Sequence, residues 1–227
     1  MSNAHQADGR EVGAKRRSGW IHEPEEYSGG DIAIVGRQVV NRHASRHNAA
    51  QVFDSFPPMS ATPYPTLFSP LAVGPAVLPN RIIMGSMHTE LEGRPDAGGR
   101  LAAFYAERSR GGAALIITGG CSPNAEGRMS ERGGVLDGPA QMPLHRAIAD
   151  AVHDAGGRIA LQILHAGRYA RHKDLVGASD RVAPINRIKP RALTDAEIER
   201  TIDDFAACAS LAQAAGYDGV EIMGSEG

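Results

Sequence analysis

Only two cysteines, Cys121 and Cys208, occur among the 227 residues. That excludes a disulfide scaffold, and it excludes any four-cysteine zinc or iron–sulfur centre formed by this chain alone. An excess of charge of one sign is missing too. Twenty-four basic and 26 acidic residues leave a formal net charge of −2, which gives no electrostatic reason to expect nucleic acid or an acidic membrane as partner. No apolar run approaches the roughly 18–20 residues that span a bilayer. The first residues lack the apolar core of a secretory leader. A cytoplasmic location is the resulting expectation. What is present is ordinary for a globular protein: 42% hydrophobic and 22% charged residues.

The composition changes near residue 58. Residues 1–58 are rich in Gly, Arg, His and Asn, hold one short apolar patch at Ile32–Val35, and sustain neither a helical nor a strand period. They read as a disordered or non-native extension. Lys15, Arg16 and Arg17 have the sign of a targeting signal, but Glu23, Glu25 and Glu26 argue against a transit peptide. Met59 opens a run that would serve as a start, so residues 59–227 form the expected domain.

From Leu67 onward the pattern is strong. Val73–Pro79 suits a short hairpin that could plug the bottom of a barrel. Four apolar segments read as strands: Arg81–Met84, Ala114–Thr118, Arg158–Leu164 and Gly219–Met223. Helices are expected at about Arg100–Arg110 (Leu101, Phe104 and Tyr105 on one face), at about Met142–Ala155, and from Thr194 to Gly216. The last begins with a capping box, Thr194 and Glu197, and carries a stripe of Ile198, Ile202, Phe205, Ala209 and Ala212. An irregular loop fills residues 165–193. Apolar strands alternating strictly with helices mean parallel strands covered by helices. The expected fold is α/β, a truncated (β/α)8 TIM barrel of about four βα units, whose chemistry would sit on the loops at the strand C-termini.

Four strand ends then share one face: Gly85-Ser86-Met87-His88, Gly119-Gly120, Gln162 with His165, and Glu221 with Glu226. Glycines there let backbone approach a flat ligand. A glutamine on a buried strand must satisfy its amide. Gln162 can pair with the edge of a heterocycle, or it can bond a neighbouring strand's backbone. Other motifs carry less. His165 and His172 are seven residues apart with no carboxylate cluster, which suits backbone bonding or pocket lining better than a metal. No GxGxxG follows Ala114–Thr118, so a dinucleotide fold fails. No lysine stands at a strand end for a Schiff base, which disfavours an aldolase. Nothing near Cys121 marks an activated nucleophile, and Cys208 fits packing. Arg168 suits a structural salt bridge or a substrate contact equally.

The runs Leu67-Phe-Ser-Pro-Leu, Asn80-Arg-Ile-Ile-Met-Gly-Ser-Met-His88, Leu161-Gln-Ile-Leu-His-Ala-Gly-Arg168 and Tyr217-Asp-Gly-Val-Glu-Ile-Met-Gly-Ser-Glu-Gly227 resemble the old yellow enzyme family of FMN-dependent ene reductases. The resemblance covers about residues 64–227. Met223 and Glu226, where typical members carry a histidine pair, make the bacterial NADPH-dependent 2,4-dienoyl-CoA reductases the most similar group. The resemblance implies that Gly85, Ser86, Met87 and His88 run along FMN, that Gly120 approaches its ring, and that the Gln162 amide holds its pyrimidine edge. The flavin would pass hydride from NAD(P)H to an activated C=C bond of an unsaturated acyl-CoA or enone. It also implies that the proton-donating tyrosine follows Gly227 directly, and that the partner histidine, the phosphate loops, a 4Fe-4S cluster and the FAD and NADPH domains lie further on. Within the chain no catalytic residue is therefore expected, and Tyr169 and Tyr217 do not substitute. Tyr217 would sit at the opposite end of the barrel. The alternative expectation is a catalytically inactive half-barrel that self-associates through open barrel edges.

Overall fold

The computed structural model describes residues 63–226. The expectations about residues 1–58 and about Met59 fall outside them. In chain order the elements are β1 (Leu71–Val73), β2 (Ala76–Leu78), β3 (Ile83–Met84), α1 (Ala97–Arg110), β4 (Leu115–Ile117), α2 (Met142–Asp154), β5 (Ile159–Leu164), β6 (Val176–Gly177), β7 (Arg191–Ala192), α3 (Asp195–Ala215) and β8 (Gly219–Met223). Four of the strands form one parallel sheet in the order β3-β4-β5-β8. Each successive strand is reached through a helix, so the expected partial barrel of βα units is present.

Alternation along β5 sorts the core. Ile159, Leu161 and Ile163 point outward with Ile116 and Val220, and pack against Leu101 and Tyr105 of α1, Ile148 and Val152 of α2, and Cys208 and Ala212 of α3. Ala160, Gln162 and Leu164 take the other face. At the N-terminal end of that inner face the β1–β2 hairpin packs Leu71, Val73 and Leu78 against Leu115, Ile117 and Ala160. The hairpin thus closes the end away from the strand C-termini, the position expected of a plug.

Asp218 fastens this same end. Its carboxylate accepts from the Ile159 N–H at 2.8 Å and from Arg158 at 3.1 Å, and it lies 2.9 Å from His153 Nε2 at the end of α2. Burial pushes the Asp218 carboxyl upward, but the bonds to His153 and Ile159 outweigh it and hold it below the ordinary value. The Asp218 bond raises His153 correspondingly.

Helix ends follow local chemistry. Helix α1 starts three residues earlier than its apolar pattern suggests, because Gly98 and Gly99 in its first turn are poor helix formers that hide the start. In α3, Thr194 accepts from the Glu197 N–H while the Glu197 side chain reaches back, completing the capping box. Gly216 ends it in the left-handed region at φ 99°.

Two readings of the sequence need correction. Ala212 of the α3 stripe is buried and Phe205 and Ala209 pack against the core as expected, but Ile198 and Ile202 are 39% and 58% exposed. Only the first turns of the stripe therefore lie outside the core. The loop of residues 165–193 is also less irregular than expected. It holds a 3-10 turn at Gly167–Tyr169, and β6 pairs with β7 in parallel.

Candidate functional site

The strand C-termini converge on Gln162. This residue lies on the inner face of β5 and is 2% exposed. Its backbone N–H donates to Thr118 Oγ1 at 3.0 Å, beside the end of β4. Its Oε1 accepts from Ser86 Oγ at 2.8 Å, and its Nε2 donates to Glu221 Oε2 at 3.0 Å. Glu221 is its register partner on β8. The amide is therefore held by one side chain after the end of β3 and one on the neighbouring β8, not by a neighbouring strand's backbone. A carboxamide has two N–H donors and two acceptor lone pairs. One of each remains after these bonds.

Gly120 adjoins the amide. A Cβ there would come within 2.9 Å of Leu164 Cβ and 3.1 Å of Gln162 Oε1. At Gly119 it would lie 2.6 Å from the Met87 carbonyl oxygen. Both glycines are required by the protein's own packing. Gly85 differs, since a Cβ would meet nothing within 4 Å. Residues 85–88 are exposed, and among the described residues Gly85, Ser86, Met87 and His88 enter no backbone hydrogen bond outside the sheet ladder. The structure thus brings Ser86, Gly120 and Gln162 together, with Gly85 and Met87 alongside. His88 is exposed at the end of this segment and bonds none of the other five. Glu221 and Thr118, which hold Gln162, were not expected in those roles. Their signal is the pairing register, which only the assembled sheet provides.

The remaining polar residues sort differently. Tyr217 starts below its strand, yet its side chain is buried and its hydroxyl lies 2.9 Å from His145 Nδ1. His145 Nε2 in turn is 4.0 Å from Cys121 Sγ. Burial lowers His145 to about 4 and pushes the Cys121 thiol up, so neither is an activated group. Cys208 is buried in the main core. His165 Nδ1 accepts from the Gly167 N–H at 3.2 Å, and burial lowers its pKa. His172 Nε2 lies 2.9 Å from the Arg128 carbonyl, and donates to it. No group of three or more potential metal ligands occurs among the described residues. Arg168 makes no salt bridge among them; its guanidinium lies 5.5 Å from the Tyr169 ring centroid. No helix among the described residues is long and apolar enough to cross a membrane.

Residues 66–227 match the model of the NADH:flavin oxidoreductase / NADH oxidase family. The chain belongs to that family. It is 40% identical over 170 residues to a metal reductase of Desulforamulus reducens, covering 71% of this chain and 25% of the relative. A variant of morphinone reductase in complex with tetrahydroNAD superposes with a TM-score of 0.63 at 29% identity, covering 69% of this chain and 48% of that one. The old yellow enzyme homologue from Zymomonas mobilis gives a TM-score of 0.59 at 30% identity, again covering 69% and 48%. The chain thus spans a quarter to a half of the length of these proteins. Family membership implies FMN. The residues fit such a group, because the Gln162 amide keeps one uncommitted donor and one uncommitted acceptor near the exposed segment 85–88.

Proposed function

We propose that this chain supplies the flavin-holding strand ends of an FMN-dependent oxidoreductase that uses NAD(P)H. The observation that carries the reading is the Gln162 amide, fixed between Ser86 and Glu221 with one donor and one acceptor unspent. In this reading Gln162 binds the pyrimidine edge of the flavin. The exposed backbone of Gly85, Ser86, Met87 and His88 lines its length, and Gly120 keeps the approach to the ring free of a side chain. FMN, when bound, supplies the hydride chemistry. The chain's own residues orient the cofactor and fix which hydrogen bonds its ring receives.

The finer proposal is reduction of an activated C=C bond in an unsaturated acyl-CoA or enone, in the cytoplasm, by a barrel domain beginning near residue 59. The Met223-Gly-Ser-Glu226 sequence at the end of β8 supports the acyl-CoA choice. FMN titration followed by flavin fluorescence tests the cradle. Saturable binding is expected, weakened about ten-fold or more in Gln162→Leu, as loss of two hydrogen bonds to a buried edge entails. Equal affinity in the variant, or no binding by the unaltered chain, would overturn the reading.

One observation favours a second reading, a non-catalytic half-barrel that self-associates. Ile198 and Ile202 of α3 are exposed, as is Ile222 on β8, which is an edge strand of the sheet. Sedimentation that shows a monomer at micromolar concentration would remove it.

A further inference from the structure

A cavity of about 400 Å³ lies on the helix side of the sheet and adjoins the Gln162 cradle through Thr118, Gly119 and Gly120. Its apolar wall comes from Leu101 of α1, Leu144 and Ile148 of α2, Leu161 of β5 and Val135 of the loop after β4. Leu161 and Gln162 are consecutive on β5 and so point to opposite faces. The two sites therefore share a strand and the Gly119-Gly120 backbone but open on different sides.

Most polar groups around the cavity are already engaged. Tyr217 and His145 bond each other, and His145 faces Cys121. At the mouth, Arg128 donates to the Ala125 and Glu131 carbonyls, and Glu92 accepts from Thr89. Two groups are left over. The Tyr105 hydroxyl oxygen accepts from the Gly119 N–H at 2.9 Å, which leaves its proton to donate. Gln141 Nε2 donates to Asp137 at 2.9 Å, while its Oε1 is buried with no partner. A buried acceptor without a partner costs on the order of 1–3 kcal/mol, so an occupant that donates to it is favoured.

We propose that this cavity binds a compact, uncharged, mainly apolar molecule carrying a hydroxyl group. The hydroxyl donates to Gln141 Oε1 and accepts from Tyr105, and the apolar body lies against Leu101, Leu144, Ile148 and Leu161. The two charged side chains among the described lining residues, Glu92 and Arg128, are each already hydrogen-bonded to neutral neighbours and carry opposite signs, which favours an uncharged ligand over an ionic one. The volume suits a ligand of roughly a dozen non-hydrogen atoms, at the lower end of small-molecule pockets.

The probe is 2-naphthol, whose emission changes when it leaves water, with naphthalene as the partner lacking the hydroxyl. Saturable binding of 2-naphthol to the full chain is expected. Gln141→Met should weaken 2-naphthol by about three- to ten-fold and leave naphthalene unchanged. Leu144→Trp, which fills the space, should abolish both. If that variant does not fold, the Gln141→Met comparison decides alone. Absence of saturable 2-naphthol binding, or equal loss of both probes in Gln141→Met, would overturn the proposal. Displacement of 2-naphthol by excess FMN would also overturn it, by placing the probe on the cradle face. The binding and variant outcomes do not depend on whether the chain holds FMN.

Discussion

The two faces of β5 are both buried, yet they are built differently. Outward, Ile159, Leu161 and Ile163 pack under three helices in the main apolar core, with Leu161 also reaching the cavity on that side. Inward, the sequence Ala160, Gln162, Leu164 interrupts the apolar surface with an amide tied to two side chains and flanked by the exposed segment 85–88. One strand therefore separates cohesion from recognition, and the separation costs no extra chain. Substitutions at Ile159 and Ile163 on the outer face should act on stability, whereas those on the inner face should act on the flavin.

The sharpest test is Ile163→Ala, which empties a fully buried position. A loss of about 2–5 kcal/mol is expected in urea unfolding; a loss below about 1 kcal/mol would break the comparison. Next comes Gly120→Ala, whose new methyl meets Leu164 and Gln162 Oε1. Overpacking there should cost about 1–3 kcal/mol and disturb FMN binding as well, so a purely structural effect would blur the two faces. Removing the α3 cap with Thr194→Ala should cost about 1 kcal/mol, with unchanged FMN affinity.

The smallest effect concerns pH and lies at the far end of the sheet. Asp218 is held below its ordinary value of 3.8, so its contribution is full above that pH and is lost as pH falls through the lowered value. His153 is raised above 6.5, so its contribution is full below that pH and is lost as pH rises through the raised value. The pair therefore stabilises most between these limits, by no more than about 1 kcal/mol because solvent screens both groups. Thermal melts across this range should show a shallow maximum that Asp218→Asn flattens. A maximum that persists in the variant would assign it elsewhere.

Much of the scaffold could be read before assembly. The apolar segments at Ile159–Leu164 and Gly219–Met223 became strands, and the Thr194–Glu197 box opened its helix, because each depends on local chemistry. Where partners decide, the sequence was silent. Periodicity placed Ile198 and Ile202 on one stripe with Phe205, Ala209 and Ala212 but could not say that only the last three would reach the core. The two-residue pairing of β6 with β7 is too short to leave a period. Tyr217 precedes its strand as expected, but the direction of its long side chain toward His145 is set by packing. Ser86, Gly120 and Gln162 could be nominated from their strand ends. The bonds that immobilise the amide needed Ser86, 76 residues upstream, and Glu221, 59 residues downstream.

Glu221 has a directional effect. A carboxylate can accept but not donate, so it compels the nitrogen of Gln162 to face β8 and the oxygen to face β3. The amide cannot flip without setting two oxygens against each other. Any planar guest met by this edge encounters a fixed polarity, and it can be seated one way up but not inverted.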